Sequence, residues 1–376
     1  MPRFFATCAR GLEQILAKEL VALSAVNVKT GRGGVNFEGG EEILYRASLH
    51  LRTAVRVLQP VIEADVYDSD GLYEFCRSID WSKHMTADHT LAVDSNVKDS
   101  NITHSQYAAR RVKDAICDQF RDRVGIRPSV DTEQPMIGLN LHLHRNHAVL
   151  SLDASWDSLH KRGYRPILTR APINESLAAG LLLSAGYDGT QPLVDLMCGS
   201  GTFLIEGAWI ATKRPPGLTR KWFGFMGWPG FNRPLWNAIR EEARVAMLSA
   251  PPCPIRGSDL RADAVEFANT NSRTAGVRHM IHLEQTDLHY ARPGDMAKGI
   301  VIVNPPYGER LGEEQELVPL YRDLGHSFRE HWFGWKLCVF TLNDTLAKAI
   351  DLRVLRQTPF YNGSLPCKLW VMEAQA

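Results

Sequence analysis

The run Gly299-Ile300-Val301-Ile302-Val303, followed at once by Asn304-Pro305-Pro306-Tyr307, constrains the fold of this chain more than any other stretch. Consecutive β-branched residues with no polar position between them predict a strand buried on both faces, as in a parallel sheet covered by helices on each side. Two successive prolines lack the backbone N–H that a ladder requires and fix their own φ, so the strand must end there and the loop that follows is stiff. An Asn amide and a Tyr ring are then held at the carboxyl edge of a sheet, where open α/β folds bind their ligands. The same four residues also suit a plain strand-ending turn, because Asn-Pro is a common turn signal.

At 376 residues the chain has room for two or three domains with cores of their own, and its 44% hydrophobic and 23% charged residues are those of an ordinary globular protein. With a formal net charge of only +1, any nucleic-acid partner must be met by local basic patches. The 7 cysteines are scattered, with no C-x-x-C pair, which argues against a disulfide framework or a zinc ribbon and fits a reducing, cytoplasmic setting. The start, Met1-Pro2-Arg3-Phe4-Phe5, lacks the apolar core of a signal peptide, and no apolar run approaches the length of a membrane span.

The first half predicts an α+β unit. Residues 4–6 read as a strand, 11–23 as an amphipathic helix, 31–34 as a turn, 35–37 as a strand and 41–51 as a helix. A strand over 52–62, a helix over 70–79 capped by Asp70, a strand over 90–96 and a long helix over 103–124 follow. The outer face of that long helix carries Arg110, Arg111, Lys113, Arg121 and Arg123, either an ordinary solvated face or a contact for RNA. Residues 138–144 and 148–152 alternate with period two and predict a hairpin. His142 and His144 share one face of it without a Cys or acid at ligand spacing, so no metal site is expected.

Residues 158–171 break this pattern. Leu159-His160-Lys161-Arg162-Gly163-Tyr164-Arg165 is dense in cations and reads as a linker between residues 1–157 and a second domain over 172–376. Lys161, Arg162 and Arg165 could grip phosphates while Tyr164 stacks on a base, or the cations could pair with acids across a domain interface. From 172 onward the chain alternates strand, turn and helix. A short strand over 192–197 carries Asp195, and Cys198-Gly199-Ser200-Gly201-Thr202 turns it into an apolar helix over 203–212. Such a turn presents a nest of backbone N–H groups. It has neither the Lys-Ser/Thr of a P-loop nor the three glycines of a dinucleotide fingerprint. Asp195 suits a ligand with a cationic group such as an amino-acid ammonium, and Cys198 reads as a small packing residue before a nucleophile.

Asp259 closes a second strand over 255–259 and is placed to accept from both hydroxyls of a ribose; Asp287 closes a third over 281–287 and could accept from an adenine amine. An insertion over 213–254 interleaves cations with Trp and Phe, which suits either a single-stranded nucleic-acid surface or a lid with a small aromatic core. Helices over 261–275, 319–331 and 344–350 and strands over 336–341 and 368–372 complete the reading.

Asp195 with its glycine turn, Asp259, and Asn304 to Tyr307, on neighbouring strands, together resemble the class I S-adenosylmethionine-dependent methyltransferases that act on exocyclic amines. Residues 159–165, 195–202 and Asn304-Pro305-Pro306-Tyr307-Gly308-Glu309-Arg310-Leu311-Gly312 resemble the 23S ribosomal RNA guanine-N2 methyltransferases, which carry an N-terminal THUMP RNA-binding domain. Thr7-Cys8-Ala9-Arg10-Gly11-Leu12-Glu13 resembles that family's start. The resemblance implies an α/β fold with a C-terminal doubly wound, Rossmann-like methyltransferase sheet and an N-terminal α+β region with a THUMP domain over about 45–155. It implies S-adenosylmethionine as cofactor, bound by Asp195, Cys198, Gly199, Ser200, Gly201, Thr202, Asp259, Asp287 and Asn304, and catalysis by Asn304, Pro305, Pro306 and Tyr307. The implied partner is 23S RNA, contacted by Lys161, Arg162, Tyr164, Arg165, Arg110 and Arg111, with no membrane, metal or obligate protein partner. Leu196 stands where relatives commonly have Pro, and the chain's length implies a single methylation. Transfer RNA guanine-N2 and nucleic-acid adenine-N6 amines suit the same loop, and a non-catalytic RNA-binding assembly factor would keep the same fold.

Overall fold

A computed structural model describes residues 1–166, 173–307 and 313–374. Its strands form two sheets. β1 (Arg3–Cys8), β2 (Val26–Gly31), β3 (Gly34–Glu38), β4 (Ala54–Asp65), β5 (Thr90–Lys98), β6 (Ser129–Val130), β7 (Ile137–His144) and β8 (His147–Asp153) make an eight-stranded sheet in the order β2-β3-β1-β4-β8-β7-β5-β6. The long strand β4 joins two smaller units: Leu58 pairs with Phe5 of β1 on one side, and residues 58–65 run antiparallel to β8 on the other. Helices α1 (Glu13–Ala22) and α2 (Glu41–His50) belong to the first unit, α3 (Ser69–Arg77) and α4 (Ser105–Val124) to the second. Asp68, one residue ahead of α3, accepts from Gly71 N at 2.7 Å and caps the helix, so the cap expected at Asp70 moves two places toward the N-terminus.

The second half contains β9 (Leu193–Asp195), β10 (Ile255–Asp259), β11 (Ile281–Gln285), β12 (Ile300–Val303), β13 (Lys336–Thr341), β14 (Arg353–Asn362) and β15 (Leu365–Glu373), in the order β11-β10-β9-β12-β13-β15-β14. β9 to β13 are parallel and β15 is antiparallel to both of its neighbours. Helices α5 (Glu175–Ala185), α6 (Thr202–Ala211), α7 (Arg233–Val245), α8 (Ala262–Thr274), α9 (Glu313–His331) and α10 (Asp344–Ala349) connect the strands. The Ile-Val-Ile-Val run behaves as a strand buried on both faces must. Ile300 and Ile302 enter a core with Leu177, Phe203 and Trp209, while Val301 and Val303 enter a separate one with Tyr321, Phe328 and Trp370.

The first of these cores does not stop at the methyltransferase-like sheet. Phe4, Leu12, Leu16, Phe37 and Tyr45 share it, whereas Leu72, Trp81, Val112, Ile116, Leu139 and Leu150 form a core of their own. The first unit is therefore packed into the second half as one apolar body, and the unit built on β5 to β8 has an interior of its own.

The insertion over 213–254 is the cement. Phe223, Phe225, Phe231 and Trp236 cluster on Tyr45 of α2, with Tyr45–Phe225 centroids 4.7 Å apart and Tyr45–Trp236 centroids 6.0 Å apart. Arg220 donates to the carbonyls of Ser155, Asp157 and Ser158, and Arg46 pairs with Glu242 at 2.7 Å. Most of the aromatics that could have stacked on nucleic acid are thus spent as an internal core, although Trp222 remains exposed. Gly224 lies so close to the end of β8 that a Cβ would overlap the Asp153 carbonyl oxygen. Because that obstacle is backbone, Gly224→Ala should lower stability by about 1–3 kcal/mol in a denaturant titration; an unchanged midpoint would show that the insertion can slide off the sheet.

Candidate active site

The order of strands reverses at β9, which pairs with β10 on one side and β12 on the other. A crevice opens at the carboxyl edge wherever a doubly wound sheet reverses in this way. Asp195 is the last residue of β9, Asp259 the last of β10, and Asn304 the first residue beyond β12. The structure therefore brings together at one edge the three groups that the sequence placed there.

Between β9 and α6, Gly199 (φ +51°) and Gly201 (φ +81°) take left-handed backbone that an L side chain rarely adopts. This curls the loop so that Gly201 N donates to Cys198 O at 2.7 Å and Gly201 leads into α6. Gly199 N donates to Asp259 Oδ2 at 2.9 Å and Arg261 N to Asp259 Oδ1 at 3.0 Å, so one carboxylate ties the loop to the end of β10. Ser200 and Thr202 are buried with hydroxyls 3.4 Å apart, and Asn271 Nδ2 of α8 donates to Ser200 O at 3.0 Å.

Asp195 is 2% exposed and accepts from Met197 N at 3.1 Å. Burial, with Asp259 nearby, pushes its carboxyl up to about 8, and no cation among the described residues offsets this. Burial also holds the Cys198 thiol well above its ordinary value, with Asp195 and Asp259 adding to the effect. A thiol so raised is not a nucleophile, which agrees with its reading as a packing residue. Asp287 lies past the end of β11 in a loop, where it accepts from His289 N at 2.9 Å and faces the His289 ring at 2.6 Å. His289 in turn approaches Asp323 of α9 at 3.5 Å.

In the loop after β12, Asn304 Oδ1 is buried and has no hydrogen-bond partner among the described residues. Pro305 is buried, Pro306 is exposed, and the Pro306 carbonyl accepts from Tyr321 Oη of α9 at 3.1 Å. Tyr321, which also reaches Thr341 Oγ1 at 3.3 Å, props the loop from beneath and was missed in the sequence, where it is one apolar position of a helix. Tyr307 is only 6% exposed. The ring is buried beside Tyr321. Gly308 to Gly312, which carry part of the family resemblance, lie outside the described residues.

The residues expected to contact RNA divide. Lys161 (63% exposed side chain) and Arg110 face solvent. Arg162 and Tyr164, at 3% and 1% exposed, do not: Arg162 Nη1 meets Glu206 Oε2 at 2.6 Å and Tyr164 Oη donates to Glu206 Oε1 at 2.8 Å. Arg165 donates to Ile173 O at 2.8 Å and lies 3.4 Å from Glu175, with its side chain 7% exposed. Arg111 is held by Asp70 at 2.7 Å and stacks over Tyr73. Arg162, Tyr164 and Arg165 are held inside, because desolvated charges need the internal partners they have found, whereas Arg111 and its partner Asp70 lie at the surface. Glu206, the acid that absorbs Arg162 and Tyr164, was signalled by a lone charge inside an apolar helix.

No helix among the described residues is long and apolar enough to cross a membrane, and no group of three or more His, Cys, Asp or Glu among them could hold a metal ion. Residues 162–370 match the model of the RMKL-like methyltransferase domain, residues 3–58 that of the RlmL ferredoxin-like domain and residues 66–153 that of the THUMP domain. A protein of Syntrophotalea carbinolica named "Ribosomal RNA large subunit methyltransferase K/L" is 46% identical over 98% of this chain and 53% of its own length. A candidate RNA methyltransferase of Synechocystis sp., slr0064, is 40% identical over 97% of this chain and 95% of its own. The chain spans about half the length of most of the curated relatives it matches, and nearly all of the Synechocystis one. Among solved structures, SMU.472, a candidate methyltransferase crystallised with SAH, superposes with a TM-score of 0.91 at 28% identity over 100% of this chain and 98% of that one. With the sheet reversal, the glycine turn and the Asn304 loop in place, and a family model matching over half its length, the chain belongs to the RMKL-like methyltransferase family.

Proposed function

We propose that the protein transfers a methyl group from S-adenosylmethionine to the exocyclic N2 amine of a guanine in large-subunit ribosomal RNA, in the cytoplasm. The observation that carries this reading is the buried Oδ1 of Asn304 at the reversal crevice, which has no partner among the described residues. A buried acceptor without a donor costs free energy unless a ligand supplies one. An exocyclic amine has two N–H groups, and Asn304 Oδ1 with the Pro305 carbonyl would accept both. The names of the relatives favour ribosomal RNA as its source.

The residues at the crevice fit the cofactor. Asp195 is a buried carboxylate without a cation among the described residues, suited to an amino-acid ammonium. The left-handed Gly199 leaves room for close main-chain approach, since a Cβ there would meet nothing within 4 Å. Asp259, at the end of the adjacent strand, keeps lone pairs available for hydroxyls. When bound, the cofactor supplies a methyl group already activated on a sulfonium.

What the chain contributes is alignment. A guanine N2 lone pair is delocalised into the ring and must be turned toward the methyl group. Two acceptors fixed on a proline-stiffened loop hold both N–H groups and set that direction. The amine becomes cationic as the bond forms and loses its proton afterwards, so no strong general base is demanded of the site. The base must leave its stack to reach the crevice, and Tyr307 would meet it only after its ring moves out of the core.

Two outcomes follow. Asn304→Ala should reduce methyl transfer to an RNA fragment of the large subunit by roughly 100-fold or more, with SAH binding retained; transfer at the original rate would remove Asn304 from its role. The second concerns Asp195. Its folded value of about 8 lies above the ordinary 3.8, so burial favours the protonated form. The stability this group contributes is complete below 3.8 and is lost as pH rises through about 8. Binding an ammonium requires the carboxylate, hence release of a proton. SAH affinity should therefore rise between about pH 6 and 7, below the usual α-amino range, and Asp195→Asn should flatten the dependence as well as weaken binding. A pH-independent affinity in the unmodified protein would contradict the pairing.

A further inference from the structure

We infer that Arg52, Arg162 and Tyr164 are positioning residues for the cofactor loop, acting through α6 from outside the methyltransferase sheet. The inference rests on the S-adenosylmethionine reading of the crevice.

The chain of contacts is continuous. The loop Gly199–Gly201 runs directly into α6, whose ten residues are all buried. Glu206 sits one turn into that helix, and both of its carboxylate oxygens are taken by the segment that joins the two halves of the chain: Oε2 by Arg162 at 2.6 Å and Oε1 by Tyr164 at 2.8 Å. The Tyr164 ring also packs edge-on against Trp209, at 5.1 Å between centroids, one turn further along. At its C-terminal end, where the last carbonyls of a helix lack intrahelical donors, α6 is met by Arg52. The Arg52 guanidinium donates to Trp209 O at 3.1 Å and to Arg214 O at 2.9 Å.

Arg52 is itself fixed. Its backbone N donates to Glu19 of α1 at 2.8 Å, Thr53 N donates to the same carboxylate at 3.1 Å, and its carbonyl accepts from Arg162. One buried network thus holds α1, the start of β4, the linker and α6 in a single arrangement.

A helix is stiff along its axis, so gripping it at Glu206 and at its C-terminal carbonyls fixes where its first turn lies. Its first turn is the end of the cofactor loop. Holding α6 from the core of its own sheet would suffice for folding alone. Instead the polar grip comes from the N-terminal unit and from the linker, where Lys161 remains exposed to solvent beside the buried Arg162. A ligand that displaces the linker at Lys161 would shift Glu206 and, with it, the loop that meets the cofactor. Coupling of this kind needs a contiguous packed path between the two places, and each link here is a hydrogen bond or ring contact.

The test uses the full chain and SAH as probe. Tyr164→Phe removes one hydroxyl and leaves the ring packing; Glu206→Gln keeps the side-chain shape. Gly224→Ala, which strains the contact between the insertion and the end of β8, serves as a control for general destabilisation. SAH affinity measured by calorimetry should fall about five- to tenfold in Tyr164→Phe and in Glu206→Gln, a range usual for coupled sites, and hold in Gly224→Ala. Amide exchange of residues 199–202 should quicken in the same two variants. SAH affinity unchanged in Tyr164→Phe and Glu206→Gln, with only the melting temperature lowered, would overturn the inference and leave the network a purely structural one. Failure of the unmodified protein to bind SAH would instead overturn the cofactor reading, and the inference with it.

Discussion

Pro305 and Pro306 cannot extend a ladder, and the rest of the site depends on that inability. β12 runs between β9 and β13 until the chain has no more N–H groups to give, and Asn304 is left at the first position past the strand. Because β9 is its neighbour, the same edge carries Asp195, and because β10 is the next strand out, it carries Asp259 as well. Three short polar side chains from strands spread over more than one hundred residues of sequence converge at this edge. The parallel register places them, and the burial of the strands on both faces fixes the register.

The convergence was legible in the sequence because it follows from strand ends, and strand ends are marked by local signals: an apolar run, then an acid, a Gly pair or a Pro pair. What was not legible depends on partners distant in sequence. Arg162 and Tyr164 read as part of an RNA grip because cations beside an aromatic look the same whether they face solvent or a buried acid; Glu206, more than forty residues away, decides the matter. The aromatics of the insertion read equally as a stacking surface and as a core, and Tyr45 of α2 settles it. β2 and β14 escaped for a related reason. Both are edge strands, largely exposed, without the alternation that marks a half-buried strand.

The packing also revises how the chain divides. A boundary near the cation-rich linker is natural to expect from the change in alternation, yet the core of the N-terminal unit is continuous with that of the methyltransferase sheet. The unit of β5 to β8 with α3 and α4 encloses an interior of its own. Arg52, Arg162 and Tyr164 bind the first unit and the linker to α6 by buried hydrogen bonds and a ring contact.

The most direct measurement is nucleoside mass spectrometry of large-subunit ribosomal RNA from cells with and without the gene for this chain. Loss of one N2-methylguanosine without the protein, restored by the intact chain and not by Asn304→Ala, is the predicted result. Unchanged N2-methylguanosine in that RNA would contradict the assignment of guanine N2 as the amine held by Asn304.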